Sequence, residues 1–503
     1  MAVAKEKPEA KPDTGLSPHR VAQMVEKARW AAGAYSTYSR AEVLAIGKAV
    51  AEAAAAAARK YADWAVQETG FGNADHKEIK NRLCSTGLFE HYRHENFTDF
   101  RVDAERKIVE IPKPAGVIFA LTPSTNPVST LYFKVILALM TRNAVVVSPH
   151  PLARRTTTDA VRVLAEAAVA AGAPDGCLQV VEEPTIPLIE ALMADDGVDV
   201  IVATGGTAVV RAAYRSGTPS LGVGPGNVPA LVDATADVAD AARCLADSKA
   251  FDNSILCTNE SVAIVEERVA DALERELGRC GAHVLDPEET DRVRAALYPE
   301  GRINTELAGK DAAAMAAAAE IKVPAGTRVL VAPFALVVPE EPLALEKLFP
   351  LLGLVRVPDA ARGIDAARAL LRIGGAGHSA VIHSTDPRTI VAYGAAVRVL
   401  RVSVNAPGST GGAGLDTNLA PTMTIGTGFF GRSSLTENLE PRHLTQWTRI
   451  AYATDQPLGD FAGLEPWEAR PEPAPMQRPV EAGLTREDLR ALILDELREL
   501  VNG

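Results

Sequence analysis

Residues 115–217 alternate between short runs of Val, Ile and Leu and longer helix-forming stretches. The apolar runs are AGVIFALTP, AVVVSPHP, LQVVEE and VDVIVATGG, and each is followed by a segment of helical character. Strands that are apolar throughout, with helices between them, are typical of a parallel sheet covered on both faces. This alternation predicts a doubly wound nucleotide-binding domain and an α/β fold class.

The remaining chain extends this organisation. With 503 residues the chain is too long for one compact core, and residues 230–431 repeat the alternation less regularly, which predicts a second α/β domain. Residues 18–68 predict two or three amphipathic helices, and residues 99–112 a strand or hairpin. The predicted boundaries are a disordered N-terminal arm (1–15), the nucleotide-binding domain (16–229), the second domain (230–431), an oligomerisation segment (432–452), a Pro-rich linker (453–483) and an amphipathic C-terminal helix (484–503).

Charge and hydropathy exclude several classes of protein. The net charge of −12 argues against a general nucleic-acid binder. No apolar run reaches the roughly 18–20 residues of a membrane span, and the N-terminus lacks the apolar core of a secretory signal. The five cysteines are scattered and lack C-x-x-C spacing, so neither a disulfide framework nor a metal site is expected. A cytoplasmic location is predicted.

One of these cysteines stands out by its neighbours. In KAFDNSILCTNE, residues 249–260, Cys257 follows apolar Ile255 and Leu256 and precedes polar Thr258, Asn259 and Glu260. A structural cysteine is usually surrounded by apolar residues, whereas a nucleophilic one sits at an edge that substrate can reach. The local sequence alone leaves both interpretations open.

Three glycine- or proline-containing turns follow apolar runs. In ATGGTAVV, Gly205 and Gly206 would let backbone N–H groups and a helix N-terminus approach a phosphate, although a tight strand–helix turn needs glycine anyway. The segment SLGVGPGNVPALV fits either a crossover loop or backbone that lines a cofactor channel. Asn126, held off helical geometry by Pro127, could serve as an oxyanion donor or simply as a turn residue.

Together these motifs resemble the aldehyde dehydrogenase superfamily, and most closely its CoA-acylating branch. The residues that carry the resemblance are TPSTNPVST, TRNAVVVSPHP, ATGGTAVVRAAYRSGTPSLGVGPGN, FDNSILCTNE, EKLFP, GGAGHSAVIH and LAPTMTIGTGFFGRSS, in the family's order over about residues 18–450. The resemblance is especially to the aldehyde dehydrogenase half of bifunctional aldehyde–alcohol dehydrogenases. It implies the family's fold, with a β oligomerisation arm.

The resemblance also implies the residues of the site. Cys257 would be the nucleophile, Asn126 would lie in the oxyanion hole, and Glu346 of EKLFP would hold the nicotinamide ribose of NAD or NADP. His378 of GGAGHSA is either catalytic or a structural, hydrogen-bonded histidine. The other implied cofactor-binding residues are Thr122, Pro123, Ser148, His150, Thr204, Gly205, Gly206, Val223 and Gly224.

Two departures from hydrolytic relatives point to CoA. Those relatives carry a water-activating glutamate in the segment that reads LGVGPGN here, residues 221–227, where this chain has no carboxylate. A thiol is a few per cent thiolate at pH 7 and can attack a thioester without a strong base. The relatives also place a lysine in a KP pair where this chain has Ser148 and Pro149, followed by His150, which loosens the adenosine site.

The sequence therefore predicts an enzyme that converts acetaldehyde or propionaldehyde, CoA and NAD(P)⁺ to acyl-CoA and NAD(P)H. The alternatives are an acylating sulfoacetaldehyde dehydrogenase, a hydrolytic aldehyde dehydrogenase, an acyl-phosphate reductase and a non-enzymatic scaffold. A homodimer or tetramer is expected, paired through residues 99–112 and 432–452.

The tail GLTREDLRALILDELRELVNG has an apolar stripe at spacings of three and four. It resembles peptides that load enzymes into bacterial microcompartments, with a shell protein as partner, or it folds back on its own oligomer.

Overall fold

The computed structural model describes residues 18–464. The predicted N-terminal arm, the linker beyond residue 464 and the predicted helix 484–503 lie outside the described residues. All helices and strands within the described residues belong to a compact unit that ends at Leu458.

A helical layer precedes the first sheet. Three helices cover the stretch predicted to hold two or three, and a fourth continues through a π-helical turn, Leu83–Gly87, into a fifth. Ser39 begins the second helix with a capping box that pairs it with Glu42. The bounds are α1 Pro18–Tyr35, α2 Arg40–Ala56, α3 Ala58–Thr69, α4 Ala74–Arg82 and α5 Leu88–Tyr92.

The alternation in residues 115–217 forms a five-stranded parallel sheet in the order β5-β4-β3-β6-β7. β3 and β4 are buried at every position, which is why their sequences are apolar throughout. Separate apolar clusters pack on the two faces of the sheet. The bounds are β3 Val117–Leu121, α6 Pro127–Met140, β4 Ala144–Ser148, α7 Arg154–Ala170, β5 Leu178–Val180, α8 Ile186–Met193, β6 Val200–Thr204, α9 Thr207–Arg215 and β7 Ser220–Val223.

A second parallel sheet of seven strands follows, in the order β10-β11-β12-β9-β8-β13-β14. Its strands are β8 Val228–Val232, β9 Glu260–Glu266, β10 Ala282–Val284, β11 Val329–Pro333, β12 Leu351–Val357, β13 Ala380–His383 and β14 Val402–Val404. Its helices are α10 Val238–Ala250, α11 Glu267–Arg279, α12 Pro287–Leu297, α13 Ala312–Ala318, α14 Ala360–Ile373, α15 Pro387–Ala396 and α16 Gly408–Gly411. The predicted α/β fold class is confirmed.

A small antiparallel sheet joins two distant parts of the chain. β1 (Arg101–Asp103) and β2 (Ile108–Pro114) form the predicted hairpin, and β15 (Thr445–Ala451) pairs with β2 along its whole length. Arg449 binds Glu110 across the pair at 2.8 Å. The segments expected to form an oligomerisation arm are therefore neighbouring strands, while their role in pairing subunits stays a prediction, as do the domain boundaries.

None of the helices within residues 18–464 has the length and apolar character needed to cross a membrane.

Candidate active site

A cavity of about 210 Å³ lies where the carboxyl ends of β3 and β6 face the segment that leads into β9. We call it the central cavity. All predicted site residues except Thr122, Ser148 and His378 line it. Its lining includes Pro123, Asn126, His150, Thr204, Gly205, Gly206, Val223, Gly224, Cys257 and Glu346.

Cys257 reaches the central cavity from a short strained segment. α10 ends at Ala250, and the next residues, Asp252, Asn253 and Ser254, have φ angles of 49°, 51° and 59°. These angles lie in the left-handed region that non-glycine residues rarely adopt. The chain then enters β9 at Glu260. Cys257 lies between the strained segment and this strand, and it is half-buried with access to the cavity.

The thiol of Cys257 is protonated in its resting environment. Burial, followed by the charge of the Glu346 carboxylate, raises its pKa to about 12. Arg401 and Lys80 act in the opposite direction, as does the backbone N–H of Cys257 itself. A positive charge brought close to the sulfur would therefore increase the thiolate fraction.

Asn126 closes the loop after β3 and precedes Pro127 at the first position of α6. Its backbone (φ −136°, ψ 57°) is neither helical nor extended, and the residue is 9% exposed, so the amide is nearly buried at the cavity wall. The amide oxygen accepts a hydrogen bond from the ammonium group of Lys80, and the amide nitrogen lies 3.3 Å from Thr125 Oγ1.

The turn after β6 presents backbone to the cavity. Gly206 is the N-cap of α9 and provides no side-chain cap, so the first N–H groups of this helix have no side-chain partner. A Cβ on Gly205 would lie 2.8 Å from Val209, whereas one on Gly206 would meet no atom within 4 Å. A helix N-terminus that opens onto a cavity suits the pyrophosphate of a dinucleotide, so the turn fits the implied cofactor.

A second cavity of about 280 Å³ adjoins this turn, and we call it the adjacent cavity. It shares His150, Thr204, Gly205 and Gly206 with the central cavity and is also lined by Thr122 and Ser148. Thr122 donates its backbone N–H to the carbonyl oxygen of Ser148 at 3.1 Å, which holds the ends of β3 and β4 together. The predicted cofactor residues thus follow one groove across the end of the sheet.

Glu346 enters the central cavity from the opposite side. Its carboxylate accepts a hydrogen bond from the backbone N–H of Gly226 at 3.1 Å. Burial raises the pKa of Glu346 to about 7, although this hydrogen bond and the charge of Lys249 partly oppose the shift. Among the described residues that line the cavity, Glu346 is the sole carboxylate.

Residues 221–227 contribute backbone rather than a charged side chain. Val223, Gly224 and Pro225 line the cavity, and Gly226 lies against the nucleophile segment so closely that a Cβ there would be 2.0 Å from the carbonyl oxygen of Cys257. Gly226 therefore cannot be replaced without moving Cys257. The glutamate that hydrolytic relatives carry has no counterpart in this wall.

His378 lies behind this wall instead of in the cavity. Its ring is fully buried, with Nδ1 2.9 Å from Ser379 Oγ, and its carbonyl oxygen accepts from Arg401 at 2.7 Å. Burial, followed by the charge of Arg401, lowers its pKa to about 3, so the ring is neutral at pH 7. A Cβ on Gly226 would lie 3.5 Å from its Cε1, which places the ring one backbone layer away from the cavity.

The sequence analysis missed two contributions to the cavity. Residues 413–425 supply Ala413, Thr422, Met423 and Ile425, and Thr424 joins this segment to β6 through a 3.0 Å contact with Thr204. The motif LAPTMTIGTG was the signal, although nothing in its composition indicates a cavity wall. The second is an indirect one: Lys77 and Lys80 do not line the cavity but bind Thr125 and Asn126 from behind its wall.

Comparison with known proteins gives a consistent result. The model of the aldehyde dehydrogenase family matches residues 14–414. The bifunctional aldehyde-alcohol dehydrogenase of Escherichia coli K12 is 34% identical over 441 residues, which cover 86% of this chain and 50% of that protein. The chain thus spans about half the length of curated relatives of this kind.

Solved structures cover most of the chain. An acetylating aldehyde dehydrogenase from Geobacillus thermoglucosidasius is similar with a TM-score of 0.85 and 35% identity over 87% of this chain and 97% of that one. A propionaldehyde dehydrogenase from the Clostridium phytofermentans fucose utilisation bacterial microcompartment gives 0.76 and 28%, over 86% and 97%. The Rhodopseudomonas palustris propionaldehyde dehydrogenase, with bound CoA and an acylated cysteine, gives 0.75 and 28%, over 86% and 97%.

Proposed function

The chain belongs to the aldehyde dehydrogenase family, and from this premise we propose that it is a CoA-acylating, NAD(P)-dependent aldehyde dehydrogenase. One observation carries the proposal: Cys257, Asn126 and the uncapped end of α9 meet in one cavity, while residues 221–227 bring no water-activating carboxylate to it.

In this reaction Cys257 is the nucleophile. The thiol first releases its proton to solvent, and the resulting thiolate attacks the aldehyde carbon to form a thiohemiacetal whose carbonyl oxygen is an oxyanion. Asn126 donates an amide N–H to that oxygen, and the backbone N–H of Cys257 is the second donor. A donor that is already in place stabilises the transition state by about 3–4 kcal/mol.

The next part of the reaction uses the groove across the end of the five-stranded sheet. The N–H groups at the start of α9 bind the pyrophosphate of NAD(P)⁺, and Glu346 accepts a hydrogen bond from the nicotinamide ribose. The bound nicotinamide supplies the hydride acceptor. Collapse of the oxyanion breaks the C–H bond, and the acyl group remains on Cys257 as a thioester.

Release of the acyl group distinguishes the proposed enzyme from a hydrolytic one. The CoA thiolate attacks the thioester carbonyl, the bond to Cys257 Sγ breaks, and the enzyme sulfur leaves as a thiolate. Water has a pKa near 15.7 and needs a base for the same attack. Glu346 is the one carboxylate in the described cavity lining and could act as such a base, which keeps the hydrolytic alternative testable.

The adjacent cavity, where the adenosine part of the cofactor would bind, supports sequential use of one groove by NAD(P) and CoA. The lining of the adjacent cavity contains His150 and Ser148 and, among described residues, no carboxylate. A carboxylate there would select NAD by binding the ribose hydroxyls, and it would repel a ribose phosphate. A neutral lining accepts NAD, NADP and the phosphorylated ribose of CoA.

His378 has a supporting role in this scheme. Because its ring is neutral and separated from the cavity by the backbone of Gly226, we assign it to positioning that segment against Cys257. This favours the structural alternative over a catalytic one.

The substrate proposal follows from the size and lining of the central cavity. Ile255, Leu256, Met423 and Ile425 form an apolar part of a volume of about 210 Å³, which suits acetaldehyde or propionaldehyde. Sulfoacetaldehyde is the alternative, and a panel of aldehydes compared by kcat/KM separates them.

Assembly and location form a further part of the proposal. The sheet of β1, β2 and β15 joins subunits into a dimer or a pair of dimers, and the tail beyond residue 484 carries the enzyme to a microcompartment shell. Deletion of residues 466–503 should then leave kcat and KM unchanged and abolish co-purification with shell proteins.

The test of the proposed activity is the dependence of turnover on CoA. With aldehyde and NAD⁺ alone, one equivalent of NADH per active site should appear in a burst and then stop, and CoA should restore steady turnover with formation of acyl-CoA. Steady NADH production with stoichiometric free acid in the absence of CoA would establish the hydrolytic enzyme instead. In that case Glu346→Gln should abolish the steady phase.

A further inference from the structure

A buried charged cluster lies behind Asn126, and the proposed mechanism does not use it. Lys77 and Lys80 are three residues apart on α4, so their side chains leave the same face of the helix, and they are 3% and 1% exposed. Both ammonium groups bind one carboxylate, that of Asp252, which is fully buried; Lys77 lies 3.0 Å from it. We call these three residues the lysine cluster.

Both lysines of the lysine cluster bind the loop that carries Asn126. The ammonium group of Lys80 donates to Oδ1 of Asn126, and that of Lys77 donates to the carbonyl oxygen of Thr125 at 3.0 Å. An ammonium group can only donate, so the amide oxygen of Asn126 must be the atom that faces Lys80. The amide N–H groups are thereby left for the side of Thr125 and the central cavity.

The same cluster holds the segment that carries Cys257. Asp252 begins the run of three left-handed residues, a backbone conformation that persists in non-glycine residues only where the surroundings enforce it. Its carboxylate also accepts the backbone N–H of Asn73 at 2.7 Å, and its own N–H donates to Nδ1 of His76 at 2.9 Å. The first turn of α4 therefore clamps the strained segment five residues before the nucleophile.

Gly72 packs closely against the carboxylate of Asp252. Gly72, just before α4, has a φ of +77°, and a Cβ there would lie 2.1 Å from Asp252 Oδ1. Glycine is thus required both by its backbone angle and by the approach of this carboxylate.

Two ammonium groups and one carboxylate leave the lysine cluster with a net positive charge at neutral pH. Burial acts to raise the pKa of Asp252, but the charges of Lys80 and Lys77 outweigh it and hold this pKa below its ordinary value. Burial lowers the pKa of Lys80 to about 8, so its ammonium group is still mostly charged at pH 7. A positive charge that polarises the amide of Asn126 strengthens its N–H groups as donors at the place where negative charge develops in the reaction.

We infer that Lys80, held with Lys77 by Asp252, is a positioning residue that orients and polarises the Asn126 amide and fixes it relative to the segment bearing Cys257. The inference rests on the proposed function in one respect only: it takes Asn126 as the oxyanion donor and Cys257 as the nucleophile. Acyl-enzyme formation is the same in the acylating and hydrolytic alternatives, so the inference does not depend on how the thioester is released.

The test is a double-mutant cycle on Lys80→Met and Asn126→Ala, read by the rate of the NADH burst in stopped-flow experiments without CoA. A charge-assisted hydrogen bond of this kind corresponds to a factor of about 10–100. Lys80→Met should lower the burst rate by that factor and change the KM values for aldehyde and NAD⁺ by less than about threefold. In the Asn126→Ala background the same change should cost less than about threefold, because Lys80 acts through the missing amide.

Arg82→Met is the matched control, since Arg82 is an exposed cation near the end of α4 and makes no contact with the lysine cluster. It should leave the burst rate unchanged. Lys80→Gln, which keeps a donor without the charge, should recover part of the rate. If Lys80→Met does not fold, the cycle is run with Lys80→Gln, whose smaller loss of burst rate should again disappear in the Asn126→Ala background.

Two results would overturn the inference. One is a Lys80 variant whose burst rate matches the wild type. The other is a loss of the same size with and without Asn126, which would make the lysine a general structural support. Failure of the proposed function would give a different result. NADH would continue to form steadily without CoA after the burst, and the burst rate would still fall in the Lys80 variants.

Discussion

On one side of the central cavity the wall is backbone: residues 204–206 and 223–225 present glycine, N–H groups and carbonyl oxygens, and Gly226 follows directly after them. On the other side the wall is made of side chains, namely Asn126, Cys257 and Glu346, and charged groups are buried behind it. We call these the backbone wall and the side-chain wall. The difference separates binding from chemistry, because backbone dipoles recognise a phosphate of fixed charge, whereas side chains respond to charge that develops during the reaction.

The two walls also differ in how they tolerate substitution. In the backbone wall the limits are steric, as at Gly226, where any side chain would collide with the carbonyl of Cys257. In the side-chain wall the limits are electrostatic, since burial shifts the pKa values of Cys257 and Glu346 upwards. Substitutions in the first wall should therefore act on KM for the cofactor, and substitutions of Asn126 and Cys257 in the second on kcat.

The largest effect is expected at Cys257. Cys257→Ala removes the atom that forms the covalent intermediate, so aldehyde oxidation and the reverse reduction of acyl-CoA should both fall by more than about 10³-fold. The measurement is the rate of NADH formation or consumption with purified enzyme of unchanged circular dichroism. Cys280→Ala, in a half-buried cysteine outside the cavity lining, is the control and should retain the wild-type rate. A Cys257 variant with more than a few per cent of that rate would remove the nucleophile from the side-chain wall.

Asn126→Ala comes next. The lost donor acts on the oxyanion, so kcat should fall by roughly 10²–10³ with a smaller change in the KM values for aldehyde and NAD⁺. Steady-state kinetics in the presence of CoA separates the two parameters. Ser124→Ala alters a neighbouring side chain of the same cavity and should change kcat by less than about threefold. An effect of Asn126→Ala confined to KM would mean that this wall binds substrate rather than the transition state.

The contrast between the walls explains what the sequence could predict. The backbone wall depends on local signals, because glycines that follow an apolar strand indicate a tight turn by their position in the sequence alone. The α/β fold was predictable for the same reason: β3, β4 and β6 are short and apolar, and helices follow each of them. The position of Cys257 between apolar and polar residues suggested an exposed edge, and the family resemblance added its role.

The support behind the side-chain wall was not predictable. Lys77 and Lys80 occur in DHKEIKNR, where mostly polar neighbours suggest a solvated helix, and the packing of α4 against α3, α6 and residues 251–254 buries them. Asp252 is 172 residues away in the chain from Lys80, so no local pattern connects them. His378 shows another limit of local pattern: the glycines around it suggested a loop at the site and left a catalytic and a structural role open, and the buried position of its ring behind the cavity wall depends on the fold.

A prediction for the backbone wall is that charge, rather than bulk, disrupts it. Gly206→Asp places a carboxylate at the N-cap of α9, where there is open space and an ordinary backbone angle of φ −66°. The carboxylate should cap the helix and stabilise it by a few tenths of a kcal/mol, while it competes with a dinucleotide pyrophosphate for the same N–H groups.

KM for NAD⁺ should therefore rise by about tenfold or more, with a thermal midpoint equal to or above that of the wild type. Gly206→Ala adds a Cβ without charge and should change KM by less than about threefold. If both variants raised KM equally, the recognition at this wall would be steric instead of electrostatic.

The smallest effect is expected from the pH dependence of Glu346, the side chain that spans both walls through its contact with the Gly226 N–H. Burial raises its folded-state pKa from 4.5 to about 7, so between these values the folded protein holds a proton that the unfolded chain has lost. Stability should then decrease as pH rises through this window, by at most about 3 kcal/mol for this group. Glu346→Gln should flatten the decrease in thermal midpoint between pH 5 and pH 7, measured in buffers of equal ionic strength.

Glu260 is the matched control for this change, because burial also raises its pKa to about 7 and it lies outside the cavity lining. Glu260→Gln should flatten the same pH profile and leave KM for NAD⁺ unchanged, whereas Glu346→Gln should also raise that KM, since it weakens the acceptor for the ribose. Equal KM values in the two variants would show that Glu346 contributes only to stability and that cofactor recognition belongs to the backbone wall alone.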